Sequence, residues 1–518
     1  MARVISARLR LQGTLVATTP LHVGGFGEDV DTDLPLARNG RGEWYVPGTS
    51  LAGPLRHWCE RRLGKHIVPP LWGFHEREDG HASYVIVEDA AVENADSVLD
   101  EIRDHVGIDR KWGCAAEHIK FDRAILPRGT RLRLSLTIEV GDSLDQKQVL
   151  AVLGHLKNAL EAGEIRLGAA KTRGLGCVRL ENAEVRRWIF NDRHGILEAL
   201  ENTDGSPVSL DELRTTCQKY SPHPTQTWTI TIYWKPVGPL MVKAGYEGVA
   251  ADIIPLVSGV NGQVALVLPG SSIKGCLRSH AERIIRTLLE LDVSNASDPK
   301  QRFLRDVELP LIDELFGKGG QQQATQNDHQ DCLPGRGALA VDDCYGRDRF
   351  LREQWQAIET AQTDLDMRQA LDAAMLKAWQ EAYHVAVDRW LGSSAESMLY
   401  TVLEPHNVEW EPIRLTLDFQ RLPSNKRLPA VALLLLVLRD LAQDRIPLGF
   451  ATHRGMGSIC VNRVGLESGD LDDDLAIVTQ VRIENGRLIR VPDEIKRAWR
   501  QWLQETRSAR TSSQGANT

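Results

Sequence analysis

Three patterns occur twice in this chain, in the same order, and that duplication limits the possible folds more than any single motif does. Val46-Pro47-Gly48-Thr49-Ser50-Leu51-Ala52-Gly53-Pro54-Leu55-Arg56 returns as Leu268-Pro269-Gly270-Ser271-Ser272-Ile273-Lys274-Gly275-Cys276-Leu277-Arg278, 222 positions later. His105-Val106-Gly107-Ile108-Asp109-Arg110 returns as His384-Val385-Ala386-Val387-Asp388-Arg389 at an offset of 279. Leu167-Gly168, Ala170 and Arg173-Gly174-Leu175-Gly176 return as Leu448-Gly449, Ala451 and Arg454-Gly455-Met456-Gly457 at an offset of 281. One glycine-rich match alone is weak, but three ordered matches with shared internal spacing mark two copies of one unit. The offset rises from 222 to 279 between the first and second patterns, so copy two carries about 57 extra residues there.

Two large units also suit the length, because 518 residues exceed what one ordinary core organises. The expected division is a first domain over 1–222, a second over 223–467 with an insertion near 290–383, and a C-terminal extension over 468–518. Hydrophobic residues at 42% and charged residues at 25% match soluble globular chains. The longest apolar run, Val431 to Leu438, is far shorter than the ~20 residues that span a bilayer, so no membrane association is expected. Met1-Ala2-Arg3-Val4 leads directly into strand-like alternation without a signal-peptide pattern. The eight cysteines contain no C-x-x-C pair, which argues against a disulfide framework or zinc ribbon and for a reducing, cytoplasmic setting. A formal charge of −8 means that any nucleic-acid contact must come from local basic patches.

Each copy opens on an alternating strand, Arg8–Thr18 or Thr227–Trp234. Ser50 and Ser272 then stand where N-caps would precede helices running through Arg56–Arg62 and Arg278–Glu290. Thr130–Val140 and Pro412–Phe419 read as further strands, and Lys147–Glu161 and Leu428–Gln443 as second helices. The order β-α-β-β-α-β predicts an α+β fold, two tandem ferredoxin-like (RRM-like) domains with insertions. Within the insertion, Lys318–Pro334 reads as a mobile loop and Phe350–Tyr383 as helical. Beyond copy two, a hairpin around Glu484-Asn485-Gly486 and a helix with Trp499 and Trp502 are expected, then a disordered tail over Ser508–Thr518.

The order of strand, acidic loop, P-G-[ST]-S-[LI]-x-G-x-L-R helix start, central D-R motif and late L-G-x-A-x-x-R-G-x-G loop resembles the RAMP superfamily over most of residues 5–180 and 226–465. Within it, the order resembles the repeating backbone subunits of type III CRISPR effector complexes, and the tandem arrangement is similar to the fused double subunits of type III-D variants. The resemblance implies a subunit that binds CRISPR guide RNA, works with target RNA and other type III effector subunits, and cleaves guide-paired target RNA at two sites by metal-dependent endoribonuclease chemistry. A non-catalytic scaffold or capping subunit is the alternative, and a guide-precursor processing nuclease of the same superfamily is a third reading.

The loop from His22 to Pro35 carries four acids in six positions, Glu28, Asp29, Asp31 and Asp33. By itself such a stretch reads as an acidic solvated turn. Beside RNA, carboxylates are tolerable mainly when a divalent cation neutralises them or when their basicity acts on a ribose hydroxyl. The resemblance implies that the aspartate shortly before a proline is required for cutting. Asp33 with Pro35 fits, with Asp31 and Asp29 as fallbacks. In copy two Ala251-Asp252-Ile253-Ile254-Pro255 offers Asp252 at an offset of 219, with its proline one residue further away, so its reach stays open. The implied reaction is attack of a ribose 2′-hydroxyl on the adjacent phosphate, with Mg²⁺ or Mn²⁺ held at Asp33 and Asp252.

For guide RNA, the helix starts at Ser50 and Ser272 would present backbone N–H groups, aided by Arg56, Lys274 and Arg278, with Ala52 standing where copy two has Lys274. The glycine loops carry Lys171, Arg173, His453 and Arg454 on backbone able to approach RNA. Asp109-Arg110 and Asp388-Arg389 either orient Arg110 and Arg389 toward RNA or form buried salt bridges. His22 lacks a histidine counterpart in copy two and reads as a local hydrogen-bonding residue.

Overall fold

The computed structural model describes residues 3–25, 32–76, 79–94, 98, 100–141, 144–191, 193–201, 204–294, 298–306, 308–318, 335–469, 471–484 and 487–515. Asp29, Asp31 and the expected loop residues 319–334 lie outside the described residues. The chain forms two compact units, one of Met1–Ile102, Asp122–Lys171 and Leu175–Thr225, the other of Arg103–Phe121, Thr172–Gly174 and Gln226–Thr518.

The main sheet of the first unit is antiparallel, in the order Ser206–Pro207, Val178–Ile189, Ile5–Ala17, Arg131–Gly141, Val85–Val87. Without the short edge strand Ser206–Pro207, this is the sheet order of a ferredoxin-like fold, with the first and third strands central and helices Gly48–Leu63 and Gln146–Glu161 as the crossovers. Period-two alternation creates the buried layer: Leu9, Leu11 and Leu15 of the opening strand point into a core shared with Leu51, Leu55, Leu153 and Leu156 of the two helices. Truncating one such leucine to alanine costs about 2–5 kcal/mol.

The second unit repeats the plan. Its sheet runs Arg173–Gly174, Leu339–Asp342, Ile413–Asp418, Thr227–Pro236, Ile459–Ser468, with helices Gly270–Leu289 and Ser424–Ala442 as crossovers. The leucine run of the latter helix is buried, as an apolar stretch too short to span a bilayer should be. No described helix is long and apolar enough to cross a membrane. The described cysteines are free.

The helix starts differ from expectation. Both helices begin at the glycine of the Pro-Gly turn, so Ser50 and Ser272 lie inside the first turn and are not N-caps. Their amides bond the carbonyls of Pro47 and Pro269 at 2.8 and 2.9 Å. The motif needs glycine for space: a Cβ on Gly48 would sit 2.2 Å from the Val87 carbonyl oxygen, and one on Gly270 would sit 2.3 Å from that of Val341.

The insertion holds helices Arg352–Glu359 and Asp364–Ala373, but from Gln380 the chain is extended, and the central motif lies on the hairpin Gln380–Val387/Ser394–Glu404. Its copy-one counterpart is the hairpin Glu101–Ile108/Ala115–Ile125. The strands Arg482–Glu484 and Arg487–Arg490 pair as expected around Asn485 and Gly486, which lie outside the described residues. The helix containing Trp499 and Trp502 continues from Asp493 to Gly515, across residues whose composition reads as a tail.

Candidate nucleic-acid interface

The acidic loops are held by one backbone frame in both copies. In copy one Gly25 N donates to Pro35 O at 3.1 Å and Ala37 N to Val23 O at 2.9 Å; in copy two Ala244 N donates to Ile254 O at 2.9 Å and Leu256 N to Val242 O at 2.7 Å. Every pair shifts by 219, so Ile254 stands for Pro35 and Pro255 for Leu36, and the displaced proline leaves the aspartate register unchanged. Asp33 and Asp252 therefore occupy equivalent positions, and both are exposed.

Each aspartate is tied to the returning strand of its central hairpin. Asp33 Oδ2 accepts from Asp122 N at 2.9 Å, while Asp122 Oδ1 accepts from Asp33 N and from Thr32 Oγ1, each at 2.7 Å. Asp252 Oδ2 accepts from Thr401 N at 2.7 Å and from Thr401 Oγ1 at 3.3 Å. Asp122 and Thr401 are 279 positions apart, the offset of the central motif, but they differ in type and so escape a search for identical residues. Their signal is the aromatic residue before each, Phe121 or Tyr400, which stacks across the hairpin on the motif histidine: His105–Phe121 centroids lie 5.0 Å apart and His384–Tyr400 centroids 5.2 Å apart.

The glycine loops are equally well matched. Ala169 N donates to His22 O at 2.9 Å and Phe450 N to Met241 O at 2.7 Å, while Ala170 and Ala451 both adopt a left-handed φ of 52°. A Cβ on Gly168 would approach His22 O to 2.1 Å, and one on Gly449 would approach Met241 O to 2.2 Å. In the first unit this closeness gathers Val23, Gly24, Thr49, Ser50, Pro54, Gly168, Ala169 and Lys171 around a shallow pocket of about 290 Å³. The acidic loop's stem, the helix start and the glycine loop meet there.

His22 is buried and its Nδ1 lies 2.7 Å from Ala124 O. A carbonyl only accepts, so Nδ1 carries the proton. Burial lowers the His22 pKa, the Ala124 carbonyl opposes that shift and Arg123 reinforces it. Met241 fills the equivalent place in copy two and packs with Val402 and Met456.

The basic residues divide sharply. Arg56, Arg389, His453 and Arg454 are exposed, and Lys171 is half-buried at the pocket. Arg454 Nη1 donates to Tyr400 Oη, bringing the second glycine loop to the hairpin stem. Arg173 lies in a short strand paired in parallel with Val341–Asp342. Lys274 is buried, with 5% exposure. Arg278 and Arg110 both pair with Glu282, at 2.6 and 2.5 Å, and Glu282 is 1% exposed. These two guanidiniums are spent on a buried carboxylate.

Nor do the D-R motifs form Asp–Arg pairs. Asp109 Oδ1 accepts from the amides of Lys111 and Trp112, and its Oδ2 binds Arg302 at 2.7 Å; Asp388 Oδ1 accepts from Trp390 and Leu391 N. The aspartates cap the hairpin turns, as the short Asx side chain does. Arg389 is left exposed at the second tip beside Trp390, which is 94% exposed.

The helix starts are also partly occupied. Gly48 N donates to Asp89 Oδ1 and Gly270 N to Asp343 Oδ1, both at 2.7 Å, so a carboxylate already takes the first amide that sequence reading offers to phosphate. Asp343 is fully enclosed, with its carboxyl pushed up by burial against the opposing pull of Arg103.

No group of three or more His, Cys, Asp or Glu suited to a metal ion occurs among the described residues. Among the described residues the equivalent exposed carboxylates are Asp33 and Asp252, joined in copy one by Asp122. Such a sparse oxygen set fits Mg²⁺, which binds through one or two carboxylates and completes its shell with water and substrate phosphate.

A family profile described as the RAMP superfamily matches residues 14–179 and again 255–460. The chain is similar to a Methanocaldococcus jannaschii protein named CRISPR system Cms endoribonuclease Csm3, with 31% identity over 84 residues. That stretch covers 16% of this chain and 30% of the relative.

Proposed function

Because the chain belongs to the RAMP superfamily through both of its copies, we propose that it is a double backbone subunit of a type III CRISPR effector complex, holding guide RNA and cutting guide-paired target RNA at two sites. The observation that carries this reading is the pair of exposed aspartates, Asp33 and Asp252, fixed in one backbone frame at equivalent positions. The partial likeness to a protein named as an endoribonuclease supports the reaction class. In this proposal guide RNA, target RNA and neighbouring effector subunits are the partners, and the cytoplasm is the setting.

Asp33 and Asp252 would act on the ribose 2′-hydroxyl. Its oxygen attacks the adjacent phosphorus, the carboxylate takes up its proton, and the bond to the 5′-oxygen breaks; that oxygen takes a proton from water, leaving a 2′,3′-cyclic phosphate and a free 5′-hydroxyl. The same carboxylates would hold Mg²⁺ or Mn²⁺, which when bound supplies positive charge beside the phosphate. Arg56, Lys171, Arg389 and Arg454 offer cationic contacts and His453 a hydrogen-bonding one, and with a net charge of −8 the neighbouring subunits complete the RNA channel. Exposed Trp390 beside Arg389 suits stacking on a base.

The test is target cleavage by the assembled complex. Asp33→Ala should remove one product and Asp252→Ala another, with assembly and target binding intact. An unchanged product ladder from both variants would reject the assignment in favour of a non-catalytic scaffold.

A further inference from the structure

We propose that the insertion in the second copy is a clamp that positions Asp252, with Tyr246 and Glu359 as its contact residues. This rests on the reading of Asp252 given above. The loop carrying Asp252 follows Lys243 and returns at Pro255, where the two residues form an antiparallel bridge. Near its middle, the Tyr246 hydroxyl donates to the Glu359 carboxylate and Val249 N donates to the Glu359 carbonyl at 3.4 Å. One residue thus holds the loop twice, by side chain and by backbone, and Val249 lies three positions before Asp252. Gly248 makes the loop's own tight fold possible: a Cβ there would sit 2.7 Å from Ala251 O, and 3.7 Å from the Glu359 carbonyl oxygen.

Glu359 is a firm support because its helix is seated in the core. The helix Arg352–Glu359 buries Trp355 and Ile358, and the preceding Phe350 exchanges backbone hydrogen bonds with Val264 at 2.9 and 3.1 Å. Phe350, Trp355 and Trp379 form one aromatic cluster, with centroids 5.6 to 6.4 Å apart. On the far side of Asp252, Ile253 is bonded to Thr401 O at 3.0 Å and accepts from Leu403 N at 2.9 Å. Asp252 is therefore pinned between the hairpin strand and the inserted helix.

Copy one has no equivalent clamp in its sequence. Gly27 stands where Tyr246 would align, and the inserted helix belongs to the stretch by which the offset grows from 222 to 279. The second loop also lacks the acids that stand next to Asp33 in the first, and its other carboxylate, Glu247, lies beside Lys243, so Asp252 depends more on being held in place. Holding a reacting group in its productive pose raises turnover without requiring tighter substrate binding.

The experiment uses the assembled, guide-loaded complex and follows each product separately. Tyr246→Phe and Glu359→Ala should slow the Asp252-dependent product about 3- to 10-fold in kcat, the scale of one lost hydrogen bond, with KM for target RNA and the Asp33-dependent product unchanged. Glu359→Gln, which can still accept from Tyr246, should retain most of the rate. Amide hydrogen exchange over residues 246–256 should quicken in the first two variants. Unchanged kcat and exchange, in a complex where Asp252→Ala removes its product, would overturn the clamp and leave the reading of Asp252 standing. Equal loss of both products would also overturn it, by marking a general folding or assembly defect. Full cleavage by Asp252→Ala would remove the reading of Asp252 and the clamp with it.

Discussion

Asp33 and Asp122 hold each other by their backbones: the carboxylate of each accepts the amide of the other, at 2.9 and 2.7 Å. This reciprocal pair fixes the exposed Asp33 side chain against the returning strand of the first hairpin. Asp122→Ala should therefore reduce the Asp33-dependent product more than Asp122→Asn, which keeps an acceptor for Asp33 N and Thr32 Oγ1. A loss of about 3- to 10-fold is expected, the scale of one or two such bonds. Equal rates for the alanine and asparagine variants in single-turnover cleavage would show that orientation by Asp122 does not matter.

Divalent cation should be needed for both cuts. EDTA is expected to stop formation of both products and Mg²⁺ or Mn²⁺ to restore them, because a carboxylate beside phosphate is tolerable mainly when a divalent cation neutralises it. Continued cutting in EDTA would instead favour a metal-independent nuclease.

Gly168 and Gly449 combine a left-handed φ, 70° and 87°, with a carbonyl oxygen where a Cβ would go. Alanine at either position should lower stability by about 1–3 kcal/mol, read from the denaturant midpoint. Ala170→Gly and Ala451→Gly are the contrast: alanine at a φ of 52° is already strained, so glycine should cost little or nothing there.

Glu282 lies almost fully enclosed between Arg110 and Arg278. Glu282→Ala leaves two poorly solvated guanidiniums and should cost about 3–5 kcal/mol. Arg110→Ala should likewise register in thermal unfolding rather than in the salt dependence of RNA binding. A shallower salt slope at unchanged stability would restore Arg110 to the RNA contacts.

Burial holds the His22 and His155 pKa values below the ordinary 6.5. Above that pH both residues are neutral whether folded or not. As pH falls through it, the unfolded chain binds protons that the folded chain refuses, so stability declines until the folded pKa values are reached. His22→Met, the residue copy two uses at this place, should make the decline shallower. An identical slope in urea titrations across that pH range would remove His22 from the account.

The amino-acid sequence determined the duplication, the ferredoxin-like order of elements and the positions of Asp33 and Asp252, because glycine turns and alternating apolar residues constrain the backbone locally and repeat at readable offsets. It also located the glycine loops, whose left-handed residues leave a direct mark in composition. Tertiary structure alone decided what the charged groups do. Arg110 and Arg278 look identical in sequence to Arg389 and Arg56, yet the first two are consumed by buried Glu282 and the others stay in solvent. Likewise Asp89 and Asp343, distant in sequence from the helix starts, occupy the first amides of the helices that follow the Pro-Gly motifs. The proline shift after Asp252 was ambiguous for the same reason: the pairing that cancels it, Ala244 with Ile254 and Leu256 with Val242, is set by backbone hydrogen bonds that any residue able to supply a carbonyl or an amide can form.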